Sequence, residues 1–176
     1  RIVSNAGGAI LAEAGADVVL RNSFVGGNEN NVDVVHIDTA SATIIYSTLA
    51  AGTFNATALS CTNPVGVTVR NSLIVARGTP WLYLAFNVVC DGVDITYSAM
   101  EAEFMGMGNF NLGQMPTNDP DSWFLDYPAG DLHLTTPPAA LATTARWATG
   151  DPATDIDGDA RPTVDGTLDY AGADLP

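Results

Sequence analysis

One short phrase recurs along the chain at a nearly constant interval. It reads VVLRNS from Val18, ATIIYS from Ala42, VTVRNS from Val67 and VDITYS from Val93, with starts 24, 25 and 26 residues apart. The first and third positions of every copy are apolar: Val18 and Leu20, Ala42 and Ile44, Val67 and Val69, Val93 and Ile95. An apolar period of two belongs to a β-strand with one buried face. The alternate positions hold Val19 and Arg21, Thr43 and Ile45, Thr68 and Arg70, Asp94 and Thr96, a mostly polar set expected to face outward. A serine closes each copy in the same register, Ser23, Ser47, Ser72 and Ser98, preceded by Asn22, Tyr46, Asn71 and Tyr97. Asparagine tolerates the left-handed backbone of a sharp bend and tyrosine does not share that ease, so the bends are expected to alternate in construction.

Shorter apolar runs flank the phrases, as at Val34 to Ile37 and Val88 to Cys90 before them and at Leu73 to Val75 and Ala99-Met100 after them. Turn-formers such as Asp38-Thr39, Thr62-Asn63-Pro64 and Asp91-Gly92 stand between. At about 3.3 Å per residue, roughly 25 residues go once around a narrow core and return one strand spacing higher. The predicted fold is therefore all-β: a right-handed parallel β-helix over residues 1–104, with coils of 24–26 residues stacked rung on rung. Leu20, Ile44, Val69 and Ile95 should then form one column. A leucine-rich repeat needs a leucine spacing the chain lacks, and a β-sandwich would not keep so steady an interval. Cys61 and Cys90 each close the strand before a phrase, so stacking could join them as a disulfide; two free buried thiols are the other reading.

The 176 residues are 47% apolar with 17 Gly and 10 Pro, which describes a folded, turn-rich chain. Twenty acidic residues against six Arg and no Lys give a formal charge of −14. Such a surface repels nucleic acid and anionic lipid, and suits solubility in a salty exterior or bound divalent cations. The longest apolar runs are too short to span a bilayer, so membrane insertion is not expected. The chain opens on Arg1, and "GGAILAEAG" already reads as the strand before the first phrase. An uncovered first coil would expose unpaired backbone groups, so further coils, from the same precursor or a second chain, are expected against residues 1–25.

After Glu103 the period fades into a Gly-, Pro- and Asp-rich segment, 105–176, expected to cap the solenoid. Trp123, Phe124, Leu125, Leu132, Leu134, Leu141 and Trp147 are its natural apolar cover. The "LRNS" and "VRNS" coils, the stretch "NDPDSWFLDYPAGDLHL", and "TDIDGDARP" followed by "DYAGAD" together resemble the C-terminal part of bacterial pectate-lyase-like β-helix surface proteins. Those called choice-of-anchor Q domain proteins and the polymorphic outer-membrane-protein type are included. The chain departs from that pattern at "TTPPAALATT" and in the extra residue of "DYAGAD". The resemblance implies a secreted or surface-displayed protein, and pectate-lyase-like relatives that act on acidic polysaccharides.

Two sets of residues could carry a ligand. Arg21 and Arg70 occupy one wall two coils apart, about 10 Å at one strand spacing per coil, and could touch two residues of an anionic glycan. No carboxylate cluster accompanies them for lyase chemistry. Asp155, Asp157 and Asp159 of "DIDGD" resemble the opening of a Ca²⁺ loop, but the twelfth position is Gly166, with Asp165 just before it. The rival reading is an acidic turn in which Asp155 or Asp157 pairs with Arg161. His36 and His133, the only histidines, read as structural side chains. Asn55-Ala56-Thr57 matches a glycosylation triplet, and a Thr43–Thr68 ice-binding ladder is broken in register by Val19 and Asp94. The expected function is a noncatalytic extracellular or cell-surface scaffold whose walls bind a glycan or a cell-surface protein. The alternative is the C-terminal part of a polysaccharide-active enzyme with its catalytic coils upstream.

Overall fold

The phrases stack. In the computed structural model, which describes residues 1–3, 8–26, 32–52, 56–76, 86–101, 106–113 and 119–176, they form one wall of a parallel β-solenoid. That wall holds β3 (Asp17–Arg21), β6 (Ser41–Ile45), β9 (Gly66–Arg70) and β12 (Asp94–Thr96), all parallel. The second wall holds β2 (Ile10–Ala12), β5 (Val35–Asp38), β8 (Thr57–Thr62) and β11 (Phe86–Val89). The third has six strands: β1 (Ile2–Val3), β4 (Phe24–Gly26), β7 (Thr48–Ala51), β10 (Leu73–Ala76), β13 (Ala99–Met100) and β14 (Phe110–Asn111).

Register aligns Leu20, Ile44, Val69 and Ile95 in one vertical column, each at most 8% exposed. Alternation does the work: Val67 and Val69 point inward, and Thr68 between them faces solvent. Burying an aliphatic side chain of this size stabilises by about 1.5–3 kcal/mol, and the column is joined inside by Val35, Ile37, Leu49, Leu59 and Ile74. Cys61 and Cys90 form a disulfide across adjacent rungs, their Cα atoms 4.5 Å apart, because Ser60 and Val89 pair directly beside them.

The corners are built alike, against the expected alternation. Asn22, Tyr46, Asn71 and Tyr97 all take positive φ, between 47° and 55°. The serine that follows explains how the bend is held. Each hydroxyl donates to the carbonyl two residues back, and Ser72 and Ser98 Oγ also accept the N–H of the serine one rung earlier, at 3.2 and 3.0 Å. Asn109 Oδ1 takes that place for Ser98 on the last rung. The bend turns a backbone N–H out of the ladder, and the hydroxyl supplies its acceptor. Beside that rung Gly108 lies so close to the Tyr97 ring that an added Cβ would stand 2.3 Å from it, so only glycine fits.

The C-terminal segment is irregular, as expected, but the surface it covers is the outer face of the third wall. Among the described residues it contains two antiparallel strand pairs, β15 (Phe124–Asp126) with β16 (Asp131–Leu134) and β17 (Ala145–Arg146) with β18 (Leu168–Asp169), the two pairs joined through turns and a short 3-10 helix at Ala139–Thr143. Trp123, Phe124, Tyr127, Leu132, Leu134, Leu141 and Trp147 pack on Phe24, Ala50, Leu73, Val75 and Ala99, which point outward from that wall. Their chain neighbours Val25, Leu49, Ile74 and Met100 point into the solenoid. The wall is thus buried on both faces, which is why TLAA and LIVA read as unbroken apolar runs. Leu125 is the exception in the expected cover: it lies on the outer side of β15 and is 63% exposed. Among the described residues no helix is long and apolar enough to cross a membrane. The 104/105 boundary and Asn55 of the glycosylation triplet lie outside the described residues.

Candidate functional site

The two wall arginines sit where the register placed them, with Ile45 between Arg21 and Arg70. Both reach sideways to the C-terminal segment. Arg21 donates to the Gly150 carbonyl at 2.9 Å, and Arg70 makes a two-pronged pair with Asp151, whose side chain is fully buried. Asp151 also accepts the N–H of Ala148 and the Asn71 amide, so its charge is well satisfied. Asn71 adds a two-point clamp, giving Nδ2–H to the Arg146 carbonyl and accepting the Arg146 N–H, both at 2.9 Å. Arg21, Arg70 and Asn71 therefore fasten the segment to the solenoid.

The "DIDGD" turn separates its three carboxylates. Asp155 is 2% exposed, and its Oδ1 accepts the N–H groups of Asp157, Gly158 and Asp159 while Oδ2 accepts that of Leu175. Burial alone would raise its pKa, but these four N–H groups outweigh it and hold the carboxyl below the usual range. Asp159 points to solvent. Arg161, expected to pair with Asp155 or Asp157, instead pairs with Asp169 at 3.1 Å, because Asp155 is already consumed by its own turn. Arg161 is buried, donates to the Gly172 carbonyl and lies 4.1 Å over the Tyr46 ring.

Asp157 turns toward His133. The imidazole Nε2 lies 3.0 Å from Asp157 Oδ2, and Nδ1 is hydrogen-bonded to Asp131. Asp174, 3% exposed, accepts the Leu134 N–H at 2.6 Å and completes the group: ligand atoms of His133, Asp157 and Asp174 all lie within 4.8 Å of one another. Burial pushes the Asp174 carboxyl up to about 6. For His133, burial works downward, but the bonds to Asp131 and Asp157 prevail and raise it above the ordinary value. Phe24 closes one side, edge-on at 5.0 Å. The "DLHL" strand and the "DIDGD" turn were both legible as motifs; their meeting across 24 residues was not, since nothing periodic links them.

A second histidine group lies on the outer side of the second wall. His36 and Ser60 are paired in register, with Nδ1 and Oγ 2.6 Å apart, and Ser60 donates to Asp33. Histidine, serine and aspartate meet, but in the wrong order for acyl transfer. The one hydroxyl proton goes to Asp33, so His36 Nδ1–H must donate to the oxygen and cannot accept its proton. Leu11 and Val89 flank the pair in the same column, 64% and 48% exposed.

Compared with protein-family models, with curated proteins and with solved structures, the chain finds no match in any of the three.

Proposed function

We propose that the chain is a noncatalytic module of an extracellular or cell-surface protein of the pectate-lyase-like β-helix kind, a stiff frame whose bare walls bind a glycan or a cell-surface protein. The observation that carries this reading is the unequal treatment of the walls. The C-terminal segment seals the outer face of one, and the other two present Leu11, Val19 and Val89 at 48–64% exposure. A flat, rigid sheet face left uncovered by the segment offers a partner an extended surface, on which these side chains are the apolar points of contact. The cross-rung disulfide favours an oxidising compartment. The arginines that could neutralise an acidic sugar are engaged by the C-terminal segment, which weighs against lyase chemistry on these coils.

The same reading places further coils against the first rung. There β1, β2 and β3 are edge strands, and Ile2, Ile10 and Val18 are only partly buried although they belong to core columns. A second solenoid rung would pair the edge and cover them.

The test is binding of the immobilised protein to polysaccharide and cell-surface preparations, with light scattering alongside. Expected are saturable binding lost in Leu11→Asp or Val19→Asp at unchanged Tm, no unsaturated product from polygalacturonate, and self-association or a larger precursor. Turnover of the polysaccharide overturns the noncatalytic reading. A bare, stable monomer of 18.3 kDa overturns the stacking.

A further inference from the structure

His133 is held between acceptors. An ionised carboxylate only accepts, so the bond to Asp131 fixes a hydrogen on Nδ1. Nε2 then faces Asp157 oxygens at 3.0 and 3.3 Å, again acceptors. A neutral ring would aim its lone pair at oxygen lone pairs, so a positive particle belongs between them. A proton is one candidate and a metal ion the other. Asp174 decides between them. It is 3% exposed, one oxygen takes the Leu134 N–H, and the other has no hydrogen bond among the described residues. A proton on Nε2 can serve the Asp157 carboxylate and leaves the second Asp174 oxygen with no protein donor among the described residues, one more negative group beside the ring with nothing to offset it. An ion at the centre of the three groups serves both carboxylates and the ring.

We propose that His133, Asp157 and Asp174 form a binding site for a divalent transition-metal ion of the zinc type. The donor set is one imidazole nitrogen and two carboxylate oxygens, which suits such ions; Ca²⁺ takes six to eight oxygens and uses no imidazole. Ligand atoms around a tetrahedral ion with bonds of about 2.0 Å stand roughly 3.3 Å apart, a spacing within the 4.8 Å span of this group. Asp131 plays the orienting part: a carboxylate on the far nitrogen fixes the tautomer and ring plane of a metal-bound histidine. The half-exposed Asp157 side leaves room for a water as fourth ligand. The ion joins three separate stretches, β16, the turn at Asp157 and the chain end at Asp174, into one unit on the flank of the third wall. This set differs from the Asp155, Asp157 and Asp159 triplet suggested by the sequence motif, and shares only Asp157 with it.

The experiment titrates the full chain, stripped with EDTA, with ZnCl₂ and separately with CaCl₂, by calorimetry and by imidazole ¹H–¹⁵N spectra. His36 serves as an internal control because the chain has only two histidines. Expected are one Zn²⁺ per chain, a raised Tm, and movement of the His133 ring signals with those of His36 still. Asp174→Asn keeps an oxygen for the Leu134 N–H and so folds, yet loses Zn²⁺ binding, as does His133→Gln. Asp131→Asn weakens it roughly 10- to 100-fold, as outer-shell partners do. Absence of Zn²⁺ binding, binding that survives Asp174→Asn, or His133 signals that stay still would each overturn the site, and Ca²⁺ binding in its place would overturn the choice of ion.

Discussion

Tyr46 and Tyr97 occupy the same left-handed corner as Asn22 and Asn71, and each is compensated by what surrounds it. Tyr46 is wholly buried under Arg161, and Tyr97 lies against Gly108. A residue's intrinsic preference is worth about 1 kcal/mol here, less than the packing that overrides it. Glu101 is a second residue-scale conflict, and it carries a measurable consequence. It is 5% exposed; Oε2 accepts the Ala76 N–H, and Oε1 has no partner among the described residues. Burial, helped by Asp119 and opposed by the Ala76 N–H, pushes its carboxyl from 4.5 up to about 8. Between those values the folded chain keeps a proton that the unfolded chain has released. Stability therefore falls as pH rises from 4.5 toward 8 and levels off above, by an amount on the order of a few kcal/mol. Glu101→Gln should remove this slope. Urea midpoints at pH 4, 6.5 and 9 should show the variant gaining on the parent as pH rises, and parallel curves would refute the assignment.

At the scale of elements, the phrase strands were legible because one face of each is buried and the other is wet, which fixes both period and register. The same logic gave Arg21 and Arg70 a common wall. It could not give their partners, since Gly150 and Asp151 come from an aperiodic segment whose docking depends on tertiary fit. The proposed metal site is a case of the same kind: the motif groups Asp157 with Asp155 and Asp159 along the chain, whereas its side chain turns toward His133, with Asp174 beside it. The cysteines were ambiguous in sequence because the turns that follow them differ in length, five residues in one case and two in the other. Their closure ties the second wall across one rung and joins positions 29 apart in sequence. In the chain-entropy account a loop of that size is worth about 3–4 kcal/mol. Replacing both cysteines by serine should lower stability by about that much in denaturant titrations, with far-UV circular dichroism unchanged at low denaturant. A loss of strand signal in the native state would mean that the rungs need the bond to form at all.

The whole molecule is two apolar cores sharing one sheet. Leu73 and Ile74 are neighbours in β10, both fully buried, one facing the C-terminal segment and the other the solenoid interior. Were the segment to lift off alone, Phe24, Ile45, Tyr46, Leu73 and Val75 would meet water together, Arg70 would lose the buried Asp151, and Arg161 would lose the Tyr46 ring. Exposure of that much apolar surface with a broken buried ion pair leaves no stable halfway state, so the two cores should melt as one. Leu73→Ala and Ile74→Ala should each cost about 2–5 kcal/mol, the range for buried aliphatic truncations. Two probes separate the cores: Trp123 and Trp147, two of the three tryptophans, report on the segment by fluorescence, and circular dichroism reports mainly on the solenoid strands. With one cooperative unit, the two signals share a midpoint in the parent and in both variants. If fluorescence moved ahead of circular dichroism in Leu73→Ala and not in Ile74→Ala, the segment would be a separately folding lid on a self-sufficient solenoid. The sheet would then hold two independent stabilities where continuous packing across β7 and β10 requires one.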